Sequence, residues 1–170
     1  MVVSKRPVPR PTLARERSAV DNGRMPPPWT IRPVRVEDAQ LIAKHRYADA
    51  GTKEDIVAYE RWVAARIERG TYFGVLAEID GTVVAGAGAV LLDWGPTRGE
   101  TTGLRARIVN VYTAPESRRL GIARQLVEEV IRRCQKREVR VFSLAATDAS
   151  APLYEALGFV RYPQEMILRT

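Results

Sequence analysis

Two rhythms of apolar positions alternate along the chain. Residues 108–115 are rich in β-branched and aromatic side chains and stop at Pro115, which cannot donate to a sheet ladder, so they are expected to form a strand ending in a turn. Beyond Ala123 the apolar positions are Leu126, Val127, Val130, Ile131 and Cys134, in alternating steps of one and three, the stripe of a half-buried helix. Nearer the N-terminus, residues 30–34 alternate as a short strand, and residues 37–50 repeat apolar positions at Ala39, Ile42 and Ala43 as a helix ended by Gly51. Thr52 stands as an N-cap with Asp55 three residues later, opening a second helix that carries Ile56, Val57, Tyr59, Trp62, Val63 and Ile67 as far as Gly70. Residues 72–79 and 82–92 read as a hairpin closed by Asp80-Gly81, and Gly86 and Gly88 in its second strand permit a bend or a close backbone approach. A long loop follows over residues 93–104, of a length that is often functional and placed to cover a site. After residue 138 come a short apolar strand over 139–144, a helix stopped by Gly158, and a last strand over 160–168.

Composition narrows the class. The chain has 170 residues, enough for one domain with a sizeable core, and its hydrophobic and charged shares, 45% and 28%, are those of an ordinary globule. The longest apolar run, residues 83–92, is interrupted by glycine and too short to span a bilayer, so no membrane partner is expected. The N-terminus is basic but lacks the apolar core of a secretory signal, which makes the cytoplasm the expected location. One cysteine allows no internal disulfide and no metal set, and Cys134 lies on the apolar stripe, as a buried structural thiol would. The net charge of +7 is uneven: six basic residues against two acidic ones precede residue 30, leaving a body too close to balance to signal a nucleic-acid partner. Residues 1–28 are rich in Pro and Arg and end in three prolines, the composition of an extended arm with at most a helical turn near 13–20. Met25 is a credible alternative start, and the folded domain is expected over residues 29–170.

The candidate chemistry lies between the strand at 108–115 and the helix after it. The loop Arg118-Arg119-Leu120-Gly121-Ile122-Ala123 puts a glycine where free backbone N–H groups and the positive end of a helix dipole meet. A pyrophosphate can approach the main chain there, and two arginines add charge-assisted donors.

The run Val111-Tyr112-Thr113-Ala114-Pro115 followed by Arg118-Arg119-Leu120-Gly121-Ile122-Ala123 resembles the acyl-CoA-binding signature of the GNAT superfamily of N-acetyltransferases, with Arg118, Gly121 and Ala123 in its three defining positions. A second stretch, residues 144–159 ending Leu153-Tyr154-Glu155-Ala156-Leu157-Gly158-Phe159, resembles that superfamily's later motif, although Thr147 stands where asparagine is common and Ser150 where alanine is. The resemblance implies an α/β fold of six to seven strands in a mixed, mostly antiparallel sheet, with splayed central strands and about four flanking helices. It implies acetyl-CoA as co-substrate and no metal. Val111, Tyr112 and Thr113 would serve the pantetheine arm, residues Arg118, Arg119, Leu120, Gly121, Ile122 and Ala123 the pyrophosphate, and Tyr154 would protonate the departing thiolate. The helix pair would wall the amine acceptor, with Tyr47, Tyr59 and Trp62 as lining, and homodimers are a known habit of such relatives.

The general base is less legible. Histone-modifying relatives carry a glutamate on the strand before the loop, where this chain has Arg107, and an arginine stays protonated at ordinary pH. Glu78 ranks first as its replacement, ahead of Asp93, Glu100 or a water held by Asn110 and Tyr112. Arg105 and Arg107 point to an acceptor with an acidic group. Two other readings remain open: acetylation of an RNA-borne amine, suggested by the basic leader, and a silent acyl-CoA-binding module, suggested by the missing base.

Overall fold

A computed structural model describes residues 27–48 and 51–163, together with 166 and 168. Its five strands form one sheet in sequence order: β1 (Thr30–Pro33), β2 (Tyr72–Ile79), β3 (Thr82–Asp93), β4 (Leu104–Thr113) and β5 (Val141–Ser143). Neighbours are antiparallel up to β4, and β4 pairs with β5 in parallel. A parallel pair needs a crossover, and α3 (Ile122–Gln135) supplies it. The hairpin turn is as expected, with Asp80 at φ 48° and Gly81 at φ 76°, the two left-handed residues of a type I′ turn.

Each face of the sheet takes different helices because β3 is built of small residues with opposite uses. Ala85, Ala87 and Ala89 point into the cluster formed with α3, where Leu126, Val127, Val130 and Cys134 are fully buried. Truncating Leu126 there would cost about 2–5 kcal/mol, the usual range for a buried leucine. Burial pushes the Cys134 thiol up to about 11, so it packs rather than reacts. On the opposite face lie α1 (Ala39–Arg46) and α2 (Lys53–Glu68), whose Ala39, Ile42 and Val63 pack with Tyr72 and Val90. Gly88 is required there, since a methyl group at this position would overlap the Tyr72 hydroxyl. Thr52 and Asp55 close the expected capping box at the start of α2, with Asp55 donating its amide to Thr52 Oγ1 at 3.1 Å.

Several boundaries differ from expectation. The first helix stops at Arg46, not at residue 50, because its buried positions are confined to Ala39, Ile42 and Ala43 and the Tyr47 ring turns toward α2 instead. Among the described residues the sheet has five strands: residues 160–163 run without a strand partner, and most of the remainder of that expected last strand lies outside the described residues. The expected N-terminal arm lies outside them as well, up to residue 26. α4 (Ala151–Ala156) follows β5 and ends before Gly158 at φ 89°. Among the described residues no helix is long and apolar enough to cross a membrane.

Candidate active site

β4 outruns its parallel partner. The β4–β5 ladder has three rungs, Arg105 with Val141, Ala106 with Phe142 and Arg107 with Ser143, and then β5 ends while β4 continues through Thr113. From Ile108 onward that side of β4 has no strand against it among the described residues. Backbone N–H and C=O groups at such an edge need partners from elsewhere. Thr113 Oγ1 is the one buried side-chain oxygen or nitrogen among the described residues without a hydrogen bond.

On the other side of β4, toward β3, lies a bulge. Gly86 pairs with Tyr112 and Gly88 with Val109, so Asn110 and Val111 together oppose the single residue Ala87. Asn110 takes up the extra length at φ 55°, a region that asparagine tolerates better than most residues. Its side chain is locked: Oδ1 accepts from the Tyr59 hydroxyl at 3.1 Å, and Nδ2 donates to the Tyr72 hydroxyl at 3.0 Å. Arg46 reaches the same Oδ1 at 3.4 Å, with its guanidinium 4.5 Å from the centre of the Tyr59 ring. Burial raises the hydroxyl pKa of both tyrosines, so each keeps its proton for this network. Beside it His45 stacks on Tyr112 at 4.2 Å, and burial pushes its imidazole below the ordinary value, leaving it neutral.

Beyond Thr113 the chain turns into α3. Arg118 Nε donates to the Thr113 carbonyl at 3.1 Å, folding the loop back on the strand that precedes it. Arg119 at φ 64° and Gly121 at φ 86° are both left-handed, and Gly121, the N-cap, faces open space. No side chain caps α3, and the first intrahelical bond at this end is Gln125 N–H to the Gly121 carbonyl at 3.2 Å. The amides of Ile122, Ala123 and Arg124 thus lack intrahelical acceptors and point outward at the positive end of the dipole. Tyr154 of α4 is 7% exposed, belongs to the core cluster built on α3 and β3, and rests edge-on against Phe159 at 6.0 Å. Its hydroxyl pKa is raised by burial alone, with no hydrogen bond contributing.

The open edge of β4 thus leads into the glycine-led turn and the uncapped start of α3. The family model for the acetyltransferase (GNAT) family matches residues 35–159, which include all of these features. The chain belongs to the GNAT acetyltransferase family. Solved structures agree in fold: a GCN5-related N-acetyltransferase from Ralstonia eutropha JMP134 is 26% identical, with a TM-score of 0.75 over 84% of this chain and 98% of that one. A predicted acetyltransferase from Clostridium acetobutylicum, solved with acetyl-CoA, is 22% identical with a TM-score of 0.78 over 83% and 96% of the two chains. An aminoglycoside N-acetyltransferase in complex with CoA is 17% identical with a TM-score of 0.65 over 84% and 94%. A search of curated proteins gives no match.

With the GNAT fold established, the expected site residues divide into two groups. Val111, Tyr112 and Thr113 lie on the unpaired stretch of β4, and Arg118, Arg119, Leu120, Gly121, Ile122 and Ala123 form the turn and first residues of α3. Tyr47, Tyr59 and Trp62 come together on the α1–α2 face, with ring centres 6.0 Å and 5.3 Å apart in sequence, beside Asn110. Glu78 does not join them. It lies on β2, two strands from β4, and its Oε1 accepts from Arg32 Nε at 2.6 Å while Arg32 also grips Asp38 at 2.7 Å. A carboxylate tied to a guanidinium at the far side of the sheet is not placed to take a proton from a substrate, so the expectation of Glu78 as base is corrected.

The two departures from the later motif compensate each other. Ser150 Oγ accepts from the Thr147 amide at 3.0 Å and lies 3.0 Å from Thr147 Oγ1, closing the turn that leads into α4. Sequence reading missed Arg46 and Tyr72, because a salt-free arginine and a core tyrosine carry no motif; only the pairing of their strands and helices with Asn110 reveals them.

Proposed function

We propose that this protein is an N-acetyltransferase that moves the acetyl group of acetyl-CoA to a primary amine of a small molecule or peptide by direct attack in a ternary complex. The observation that carries this reading is the unpaired length of β4 after Arg107, which runs into the glycine-led start of α3. A pantetheine arm has amides spaced to pair with such an edge as an extra strand would. Val111 and Thr113 supply the backbone groups, and the amides from Gly121 to Ala123 together with Arg118 and Arg119 receive the pyrophosphate. That two of the similar structures were solved with acetyl-CoA or CoA supports the choice of co-substrate.

The thioester supplies the acyl group: its C–S bond breaks as the amine nitrogen bonds to the carbonyl carbon. The chain's own residues do the rest. Backbone N–H near Val111 polarises the carbonyl. Tyr154, its proton held firmly by burial and not engaged by another residue, donates that proton to the departing sulfur. Asn110 fixes the bulge that aims these amides, and neutral His45 with Tyr112 forms the polar side along which water can carry away the proton lost by the amine. The aromatic group Tyr47, Tyr59 and Trp62 lines the acceptor's approach.

The test is thiol release from acetyl-CoA in the presence of an amine panel, followed by mass measurement of the products. Acetylated amine formed in step with free CoA is the expected result. Binding of CoA without turnover on any amine would contradict the enzyme reading and leave a binding module.

A further inference from the structure

A cavity of about 230 Å³ lies at the foot of the splay, on the face of the sheet that carries α1 and α2. Its floor is three neighbouring strands: Arg105 and Arg107 of β4, their ladder partners Val141 and Ser143 of β5, and Leu92 of β3, which pairs with Arg105. Trp94, from the loop after β3, completes the lining, and the Arg105 guanidinium lies 4.7 Å from its ring centre. The rung of Arg107 and Ser143 is also the last before β4 and β5 part, so the cavity opens directly beside the gap.

Charge in this cavity is unbalanced. Alternation along β4 sends Arg105 and Arg107 to the same face with their Cα atoms roughly 7 Å apart. Neither has an ion-pair partner among the described residues, although Arg32, Arg124, Arg132, Arg133 and Arg161 all do. Glu100, whose carboxyl is held low first by Thr102 and only then by the charges of Arg140 and Arg105, makes no contact ion pair with either. Two half-buried guanidiniums side by side repel each other, and an anion between them turns that repulsion into charge-assisted hydrogen bonds.

We propose that this cavity holds a carboxylate carried by the acceptor, so that the enzyme acetylates amino acids or peptides through an amine a short distance from a carboxylate. The inference rests on the acyl-transfer reading above. Arg107 and Ser143 bind the carboxylate at the edge of the gap, while Arg105 is steadied by Trp94. Planar guanidinium forks match a planar carboxylate, and the amine then faces the gap where β4 and β5 part.

The experiment compares initial rates at saturating acetyl-CoA for three series of linear primary amines of matched length, ending in a carboxylate, a methyl group or a phosphate monoester. The carboxylate series should exceed the methyl series in kcat/KM by about 10- to 100-fold, the usual value of a charged hydrogen-bonded contact. In Arg107→Gln that ratio should collapse toward unity through KM, and Arg107→Lys should restore part of it, since charge returns without the fork. Equal rates on the carboxylate and methyl series, a preference for the phosphate series, or a ratio unchanged in Arg107→Gln would each overturn the proposal. Should Arg107→Gln fail to fold by near-ultraviolet circular dichroism, the wild-type ratio and Arg107→Lys still decide. Failure of this inference alone leaves amines acetylated without regard to charge; no acetylation of any series, with CoA still bound, would remove the acyl-transfer reading as well.

Discussion

The two halves of the proposed site are made of different materials. On the co-substrate side, the unpaired edge of β4 and the opening of α3 present main-chain groups, and the side chains there serve mostly to shape the backbone: Arg118 pins the loop and Gly121 turns it. On the acceptor side, the surface is side chains drawn from α1, α2, β2 and β4, in which Arg46, Tyr59, Tyr72 and Asn110 share one network. Backbone recognition suits a molecule that never varies, because every residue supplies the same amide. Side-chain recognition suits an acceptor that must be told from others; of this network only Asn110, through its bulge, also shapes the co-substrate half.

This contrast can be broken most severely at Tyr154, the proposed proton donor. Tyr154→Phe keeps the ring and its packing on Phe159 while removing the proton donor, so kcat should fall by about 100-fold with both KM values little changed. A fall in acetyl-CoA affinity of the same size would mean that the hydroxyl binds rather than donates. Next in size is Asn110→Ala, which strips hydrogen bonds from the hydroxyls of buried Tyr72 and half-buried Tyr59 and leaves an ordinary residue at φ 55°. Denaturant unfolding should show a loss of about 2–3 kcal/mol. A loss under about 0.5 kcal/mol, the level of an ordinary surface change, would show that the bulge does not depend on this network.

Gly121→Val probes the backbone half. A β-branched residue at φ 86° strains the turn by roughly 1–2 kcal/mol, and acetyl-CoA affinity should drop about 5- to 30-fold while the acceptor KM stays put. The smallest effect expected is a pH dependence from His45. Burial lowers its folded-state pKa below the ordinary 6.5, so on acidification the unfolded chain takes the proton first. Stability is therefore full above about pH 6.5, declines as pH falls below it, and stops declining only beneath the folded-state value. In His45→Phe this part of the pH profile should flatten, and a profile identical to wild type would assign the effect elsewhere.

The same contrast explains what could be read in the sequence. The strand expected at 108–115, which begins earlier, at Leu104, and ends at Thr113, the amphipathic α3 and the glycine-led loop between them are local, so their periodicity and their motif stand side by side in the chain. The type I′ hairpin and the Thr52 capping box were legible for the same reason. Glu78 was misassigned because a single strand does not reveal its neighbour: Arg32 becomes its partner only when β1 pairs with β2, Thr30 opposite Glu78. Arg46 and Tyr72 meet Asn110 from far along the chain, 64 and 38 residues away, distances at which no spacing rule operates.

Backbone amide resonances recorded during a titration with CoA test the division most directly. Shifts concentrated at residues 111–113 and 121–124, with the amides of Arg105, Arg107 and Trp94 moving little, are the expected result. Shifts centred on those last three instead, with the α3 opening unmoved, would contradict the assignment of the splay to the co-substrate.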